Sequence, residues 1–196
     1  MKVLLVNTSE RIGGAAIATH RLMRALNNYS TVVSLPDRFR NKLNFIMERA
    51  EIFTTNRFSR RNLWALDTAA WGYDITKLPE FREADIVHLN WINQGMISLP
   101  VIGKILESGK SIVWTLHDMW PFTGICHHAE SCTGWLTGCG DCPQLRYPAD
   151  GDLSAKVFKN KVKAYAKGRL HVVACSQWLA DLAKRSTLFK ENKIYC

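Results

Sequence analysis

The residues able to do chemistry in this 196-residue chain fall into a few short stretches. His117-Asp118 pairs an imidazole that can exchange a proton near neutral pH with a carboxylate able to orient it or cap a loop. Gly13-Gly14 lets backbone N–H groups approach a ligand with no Cβ in the way. At the start of a helix the same pair would add partial positive charge suited to phosphate or carboxylate. Its spacing is neither G-x-G-x-x-G nor G-x-x-x-x-G-K-S/T, so the dinucleotide and P-loop signatures are missing. His88 and Asn90, two residues apart, share one face if they lie on a strand.

CHHAESCTGWLTGCGDC places Cys126, Cys132, Cys139 and Cys142 in the spacing C-x5-C-x6-C-x2-C. Four thiolates suit tetrahedral zinc, and a complete set leaves no position for a catalytic water. His127 or His128 could replace one cysteine. A redox pair, an iron–sulfur site, disulfides or unligated thiols are the alternatives. The reading favoured here is a structural zinc that clamps the loop after His117. Cys175 and Cys196 read as isolated thiols.

These groups need a scaffold. KVLLVN (2–7) has strand length and a branched, apolar composition, and AAIATHRLMRAL (15–26) has helical composition, with Ile17, Leu22 and Leu26 set to lie on a sheet. TVVSL (31–35) reads as a second strand ended by Pro36-Asp37. Residues 38 to 82 are mixed, with NKLNFIMERAEIFTTNRF a candidate helix in a basic excursion. ADIVHLNW (84–91) and KSIVWTLHD (110–118) are further strands. Between them, 97–109 is a helix with Pro100 in its first turn and Gly109 at its end. LSAKVFKNKVKAYAKG (153–168) is a helix, RLHVVACS (169–176) a strand, and Ser176 caps the helix QWLADLAKRS. NKIYC begins one more strand. The alternation predicts a single α/β domain over 1–196, Rossmann-like and doubly wound, with a mainly parallel sheet and helices on both faces. Such sheets bind ligands beyond the carboxyl ends of their strands. That rule draws Ser9–Gly14, His88–Gly95, His117–Thr123 and Ser176 toward one edge.

The charge is basic, with 26 Lys+Arg against 17 Asp+Glu. Residues 38 to 61 carry seven Arg/Lys and two Glu, and 153 to 180 carry six Lys/Arg and no acid. Such a surface attracts phosphorylated small molecules, anionic lipid or nucleic acid. A zinc-containing nucleic-acid-binding module is therefore the competing function. It lacks any standard reader motif, and no nucleic acid is expected as partner. No stretch has the roughly 18 apolar residues of a membrane span, and MKVLLVNTSE lacks the longer apolar core of an export signal. A cytoplasmic protein is expected, with its Lys-rich helix able to touch the anionic inner face of the membrane.

Four stretches carry a resemblance: NTSERIGGAAIATHRLMRAL, ADIVHLNWINQGMISL, WTLHDMWPFTGICHHAESCTGWLTGCGDCPQL and VVACSQWLADLAKRS. Together they resemble the N-terminal domain of a GT-B glycosyltransferase of family 4. The third, with HDMWPFTG and GCGDCP, is the most specific and is similar to bacterial enzymes that build capsular, exopolysaccharide or O-antigen chains. The resemblance implies a hexosyltransferase-type enzyme of two Rossmann-like halves, working with retention and no cofactor in catalysis. The first half holds a lipid-linked or glycan acceptor, and the second holds most of the nucleotide-sugar. By position, His117 would stabilise charge beside the transferred sugar, with Asp118 in support. Gly13 and Gly14 would meet donor phosphates or the acceptor, and His88 and Asn90 would line the acceptor side. The family's glutamate pair E-x7-E does not occur here, since no two glutamates are eight positions apart. The expectation is a truncated or split enzyme, inactive without its C-terminal domain.

Overall fold

The computed structural model describes residues 1–34 and 39–196, and the side chains of 39–41 are outside that description. The expected end of the second strand at residue 35 and the turn at Pro36-Asp37 lie outside the described residues.

Six strands form one sheet in the order β2-β1-β3-β4-β5-β6. They are β1 (Val3–Val6), β2 (Ser30–Val33), β3 (Ile86–Leu89), β4 (Ser111–Leu116), β5 (His171–Ala174) and β6 (Ile194–Tyr195). Every pairing is parallel. The helices are α1 (Gly14–Leu26), α2 (Phe39–Thr55), α3 (Pro79–Glu83), α4 (Leu99–Glu107), α5 (Leu153–Tyr165) and α6 (Gln177–Arg185). This is the Rossmann-like α/β fold anticipated from the alternation. The strand order reverses at β1: the chain moves from β1 to β2 on one side, then returns to β3 on the other. In doubly wound sheets the right-handed crossovers on either side of such a reversal take opposite faces, which leaves a crevice beyond the strand ends there.

Burial along the central strands alternates. Val87, Leu89, Ile112, Trp114, Leu116, Val172 and Ala174 are buried, while Ile86, His88, Val113, Thr115 and Val173 are half-buried. Period two puts these sets on opposite faces, so one face carries the main core. Fully enclosed Trp114, Trp120 and Phe122 anchor that core.

Helix ends follow their sequence signals. Pro100 sits in the first turn of α4, and Gly109 beyond its end has φ +74°, the left-handed conformation glycine takes without strain. Ser176 caps α6 by accepting the Leu179 N–H at 3.3 Å. One helix face differs from expectation. In α1 the buried residues are Ala16 and Thr19, whereas Ile17 is exposed. The stripe therefore starts one residue earlier than the larger side chains suggested. In α5, Lys161 lies among the buried residues, while Val162 is exposed.

Candidate active site at the sheet's carboxyl edge

The loop after β1 is tied to the loop after β3. Asn7 Oδ1 accepts the Trp91 N–H at 3.0 Å, Thr8 N–H donates to the Trp91 carbonyl at 2.7 Å, and Thr8 Oγ1 donates to the Asn93 carbonyl at 2.9 Å. Above them lies a cavity of about 570 Å³ lined by Asn7, Thr8, Ser9, Ile12, Gly13, Gly14, Ala15, Trp91, Gln94, His117 and Asp118. It has the size of a small-ligand site. Gly13, Gly14, His117 and Asp118, expected at one edge, thus share one hollow. His88 and Asn90 are not among its lining residues.

Helix α1 begins at that hollow without the usual cap. Gly13 occupies the cap position with φ +92°, no side chain bonds the first turn, and no acid lies in it. A Cβ at Gly13 or Gly14 would meet nothing within 4 Å. The glycines are therefore not demanded by crowding within the chain. Positive φ explains Gly13, and Gly14 leaves the helix N-terminus open toward the cavity.

His117 is partly buried, with Nε2 3.4 Å from Asn90 Oδ1. Burial holds its pKa below the ordinary value, and the charge of Asp118 pulls back only in part. The ring is neutral at pH 7 and works as a hydrogen-bonding group. His88 lies on β3, opposite Val113 of the neighbouring β4. Its Nε2 is 2.7 Å from Thr115 Oγ1, and burial together with the neighbouring His117 lowers its pKa to about 4.

Asp118 belongs to a network that the sequence did not disclose. One oxygen accepts the Trp120 N–H at 2.9 Å. The other accepts the Trp91 indole N–H at 2.8 Å and lies 2.7 Å from His127 Nδ1. Across the ring, His127 Nε2 is 2.7 Å from Asp67 Oδ2. Ionised carboxylates only accept, so with both carboxylates ionised both ring nitrogens donate and the imidazole is cationic. Burial opposes that charge, yet the bonds to Asp118 and Asp67 outweigh it and raise the pKa to about 9. Burial likewise works against the charge of Asp118, but hydrogen bonds and the charge of His127 keep its pKa below the ordinary carboxylate value. Asp67 also pairs with Arg49, which pairs with Glu48 at 3.2 Å. Burial and the nearby Asp67 push Glu48 up to about 8.

Both nitrogens of His127 are thus engaged, which removes it as a substitute for a cysteine. The basic excursion is not separate from the site either. Leu66 forms an antiparallel bridge with Cys126, and the Asp67 N–H donates to the Ile125 carbonyl at 2.9 Å. Asp67 came from the stretch with the weakest pattern, and nothing in its neighbours pointed to it. His127 was visible, but its partners were not.

All six cysteines are free thiols. Cys126, Cys132, Cys139 and Cys142 line one cavity of about 20 Å³. As the side chains stand, no three His, Cys, Asp or Glu groups among the described residues are set to hold a metal ion. Cys175 and Cys196 are exposed and apart from the four. Among the described residues no helix is long and apolar enough to cross a membrane.

No family profile and no solved structure matches the chain. Over 139 residues it is 30% identical to the Escherichia coli (strain K12) protein named "Putative colanic acid biosynthesis glycosyl transferase WcaC". The match takes in 69% of this chain and 31% of the relative, so the chain spans about a third of the protein it resembles.

Proposed function

We propose that this chain is the acceptor-side half of a GT-B, family 4 sugar transferase in cell-surface polysaccharide synthesis. It would receive a lipid-linked or glycan acceptor, while a second Rossmann-like half grips the nucleotide-sugar and the glycosyl unit moves with retention. The observation that carries this reading is the convergence of two facts. The chain is similar to a protein named as a polysaccharide glycosyl transferase, and His117, Asp118 and the open start of α1 line one hollow at the switch point of the sheet. Ligands of such sheets bind at that place.

In this reading His117 acts as a neutral hydrogen-bonding partner of the transferred sugar, stabilising charge as the glycosidic bond breaks. Asp118, fixed by His127 and Trp91, orients the wall. The first N–H groups of α1 meet a phosphate or a sugar oxygen. His88 and Asn90 would serve the acceptor side, Asn90 through its 3.4 Å approach to His117. No metal takes part in the transfer. The exposed Lys156, Lys159 and Lys163 of α5 give the protein a weak hold on anionic lipid at the inner membrane face, each worth about 1 kcal/mol near such a surface.

The test compares chain 1–196 with the same chain joined to the carboxyl-terminal portion of WcaC or extended along its own reading frame. Each is incubated with labelled nucleotide-sugars and lipid-linked acceptors. Transfer by the joined enzyme and none by 1–196 is the expected result. Transfer by 1–196 alone would sink the half-site reading. Salt-sensitive retention of DNA or RNA, with no transfer by any joined enzyme, would favour a nucleic-acid module instead.

A further inference from the structure

Helix α2 carries its apolar stripe on the outside. Leu43, Ile46, Met47 and Ala50 follow the spacing i, i+3, i+4, i+7, which sets them on one face and ordinarily marks the side packed on a core. Here all four are exposed, Ile46 to 54%. The charged residues take the inner side instead. Glu48 and Arg49 are buried, and Glu48 Oε1 accepts the Thr68 and Ala69 N–H groups at 2.9 and 2.7 Å. Arg49 donates to the Leu63 carbonyl at 2.6 Å and pairs with Asp67. Those bonds fix the rotation of the helix and send the stripe outward. Two rings add exposed aromatic area beside it. Trp64, 69% exposed, stacks on Phe45 with centroids 6.0 Å apart, and Phe58 stands edge-on to Phe53 at 5.6 Å.

Charge decides what fits that face. Residues 42 to 64 hold five Lys/Arg and two Glu. Glu48 is buried, and Glu51 Oε2 accepts the Thr68 hydroxyl at 2.7 Å. Lys42, Arg57, Arg60 and Arg61 are exposed, and none forms an ion pair among the described residues. A second copy docked on this face would set those cations against themselves across a two-fold axis. Nucleic acid would meet the cations but leave the aliphatic stripe in water. An anionic lipid surface suits both, with apolar side chains at the acyl boundary and cations among the headgroups.

We infer that α2 lies flat on an anionic membrane, with Leu43, Ile46 and Met47 inserted and Lys42, Arg57 and Arg60 against lipid phosphate. Trp64 suits the same interfacial depth. The lipid contact thereby gains an apolar anchor of its own, apart from the lysines of α5. The start of α2 packs on the loop after β3. A Cβ on Gly95 would stand 2.8 Å from Phe45 N, and Asn44 Nδ2 donates to the Gly95 carbonyl at 3.4 Å. Gln94, one residue earlier, lines the hollow. Docking by α2 therefore keeps that rim about a helix diameter from the lipid. That the lipid so approached carries the acceptor rests on the sugar-transfer reading; the docking itself does not.

Flotation of the full chain with vesicles of phosphatidylcholine, alone or mixed with phosphatidylglycerol, tests the docking. Binding to the mixed vesicles that weakens with salt, and little binding to phosphatidylcholine alone, is expected. Joint Ile46→Ser and Met47→Ser should lower the affinity about tenfold or more, and Arg60→Gln about fivefold. These side chains are exposed, so the circular dichroism spectrum and thermal midpoint should stay as in wild type. Trp178→Ala, which removes an exposed ring on α6, should bind as wild type does. Absence of binding to the mixed vesicles would overturn the docking. Equal affinity in the joint variant and wild type would overturn it too, and so would a loss in Trp178→Ala as large as in the joint variant. A concentration-dependent dimer of the free chain, abolished by the joint variant, would give the face to a second copy instead. Transfer by the joined enzyme to an acceptor in detergent needs no vesicle, so failure of the docking and failure of the sugar-transfer reading are told apart.

Discussion

His127 Nδ1 lies 2.7 Å from Asp118 Oδ2, and that contact joins the cysteine loop to the wall of the cavity. The same ring reaches Asp67, 60 residues away in the chain, at 2.7 Å. Replacing His127 with Phe therefore takes one partner each from buried Asp67 and half-buried Asp118. Breaking a buried ion pair from one side costs about 3–5 kcal/mol. Urea unfolding of His127→Phe should show a loss in that range, and a loss below 1 kcal/mol would mean the clamp does not hold the fold.

His117 should behave in the opposite way. It lies at the cavity, its one side-chain hydrogen bond among the described residues is a 3.4 Å approach to Asn90, and it is only partly buried. His117→Ala should change stability little while lowering transfer by the joined enzyme about a hundredfold, the usual effect of removing one charge-stabilising donor. His117→Gln, which still donates, should recover part of that loss. Equal activity in wild type and His117→Ala would remove His117 from the mechanism.

The two glycines separate backbone needs from ligand needs. Gly13→Ala places a Cβ on a residue with φ +92° and should cost about 1–2 kcal/mol. Gly14→Ala meets open space and an ordinary helical angle, so stability should hold or rise by up to about 1 kcal/mol. Its methyl nevertheless intrudes where a ligand would meet the start of α1. Weaker substrate use by Gly14→Ala, without loss of stability, is the expected outcome, measured as a rise in KM of the joined enzyme. An unchanged KM would place the ligand elsewhere.

His88 predicts an acid limit. Burial and His117 lower its pKa to about 4 from the ordinary 6.5. The folded state therefore binds this proton less readily than the unfolded chain. The stability that comes from neutral His88 is complete above pH 6.5 and drains away as pH falls toward 4, by at most about 3 kcal/mol. Its titratable neighbour, His117, is also shifted down, so the two act in the same direction. His88→Gln should flatten the stability profile between pH 6.5 and 4. A profile as steep as wild type would assign the acid loss to other groups.

The parallel sheet was legible because β1, β3, β4 and β5 are short branched runs separated by turn residues and helices. Pro100, Gly109 and Ser176 marked helix ends by backbone chemistry that depends on nothing distant. Gly13 and His117 could be brought together because topology alone decides which strand ends lie side by side. Ile17 misled because size suggested burial, whereas α1 packs through small Ala16 and Thr19. The Asp67–His127–Asp118 clamp could not be read, since a contact across 60 residues leaves no local period. The buried side of α5 holds a lysine, and only the structure shows it lying over Trp120.

The reversal of strand order at β1 has a bearing on how such a protein can diversify. The hollow exists because the backbone departs in two directions there, and side chains merely furnish its rim. Exchanging Ser9, Ile12 or Gln94 would alter what the hollow admits without removing it. New specificities are thus open to a few point changes, with the scaffold left untouched.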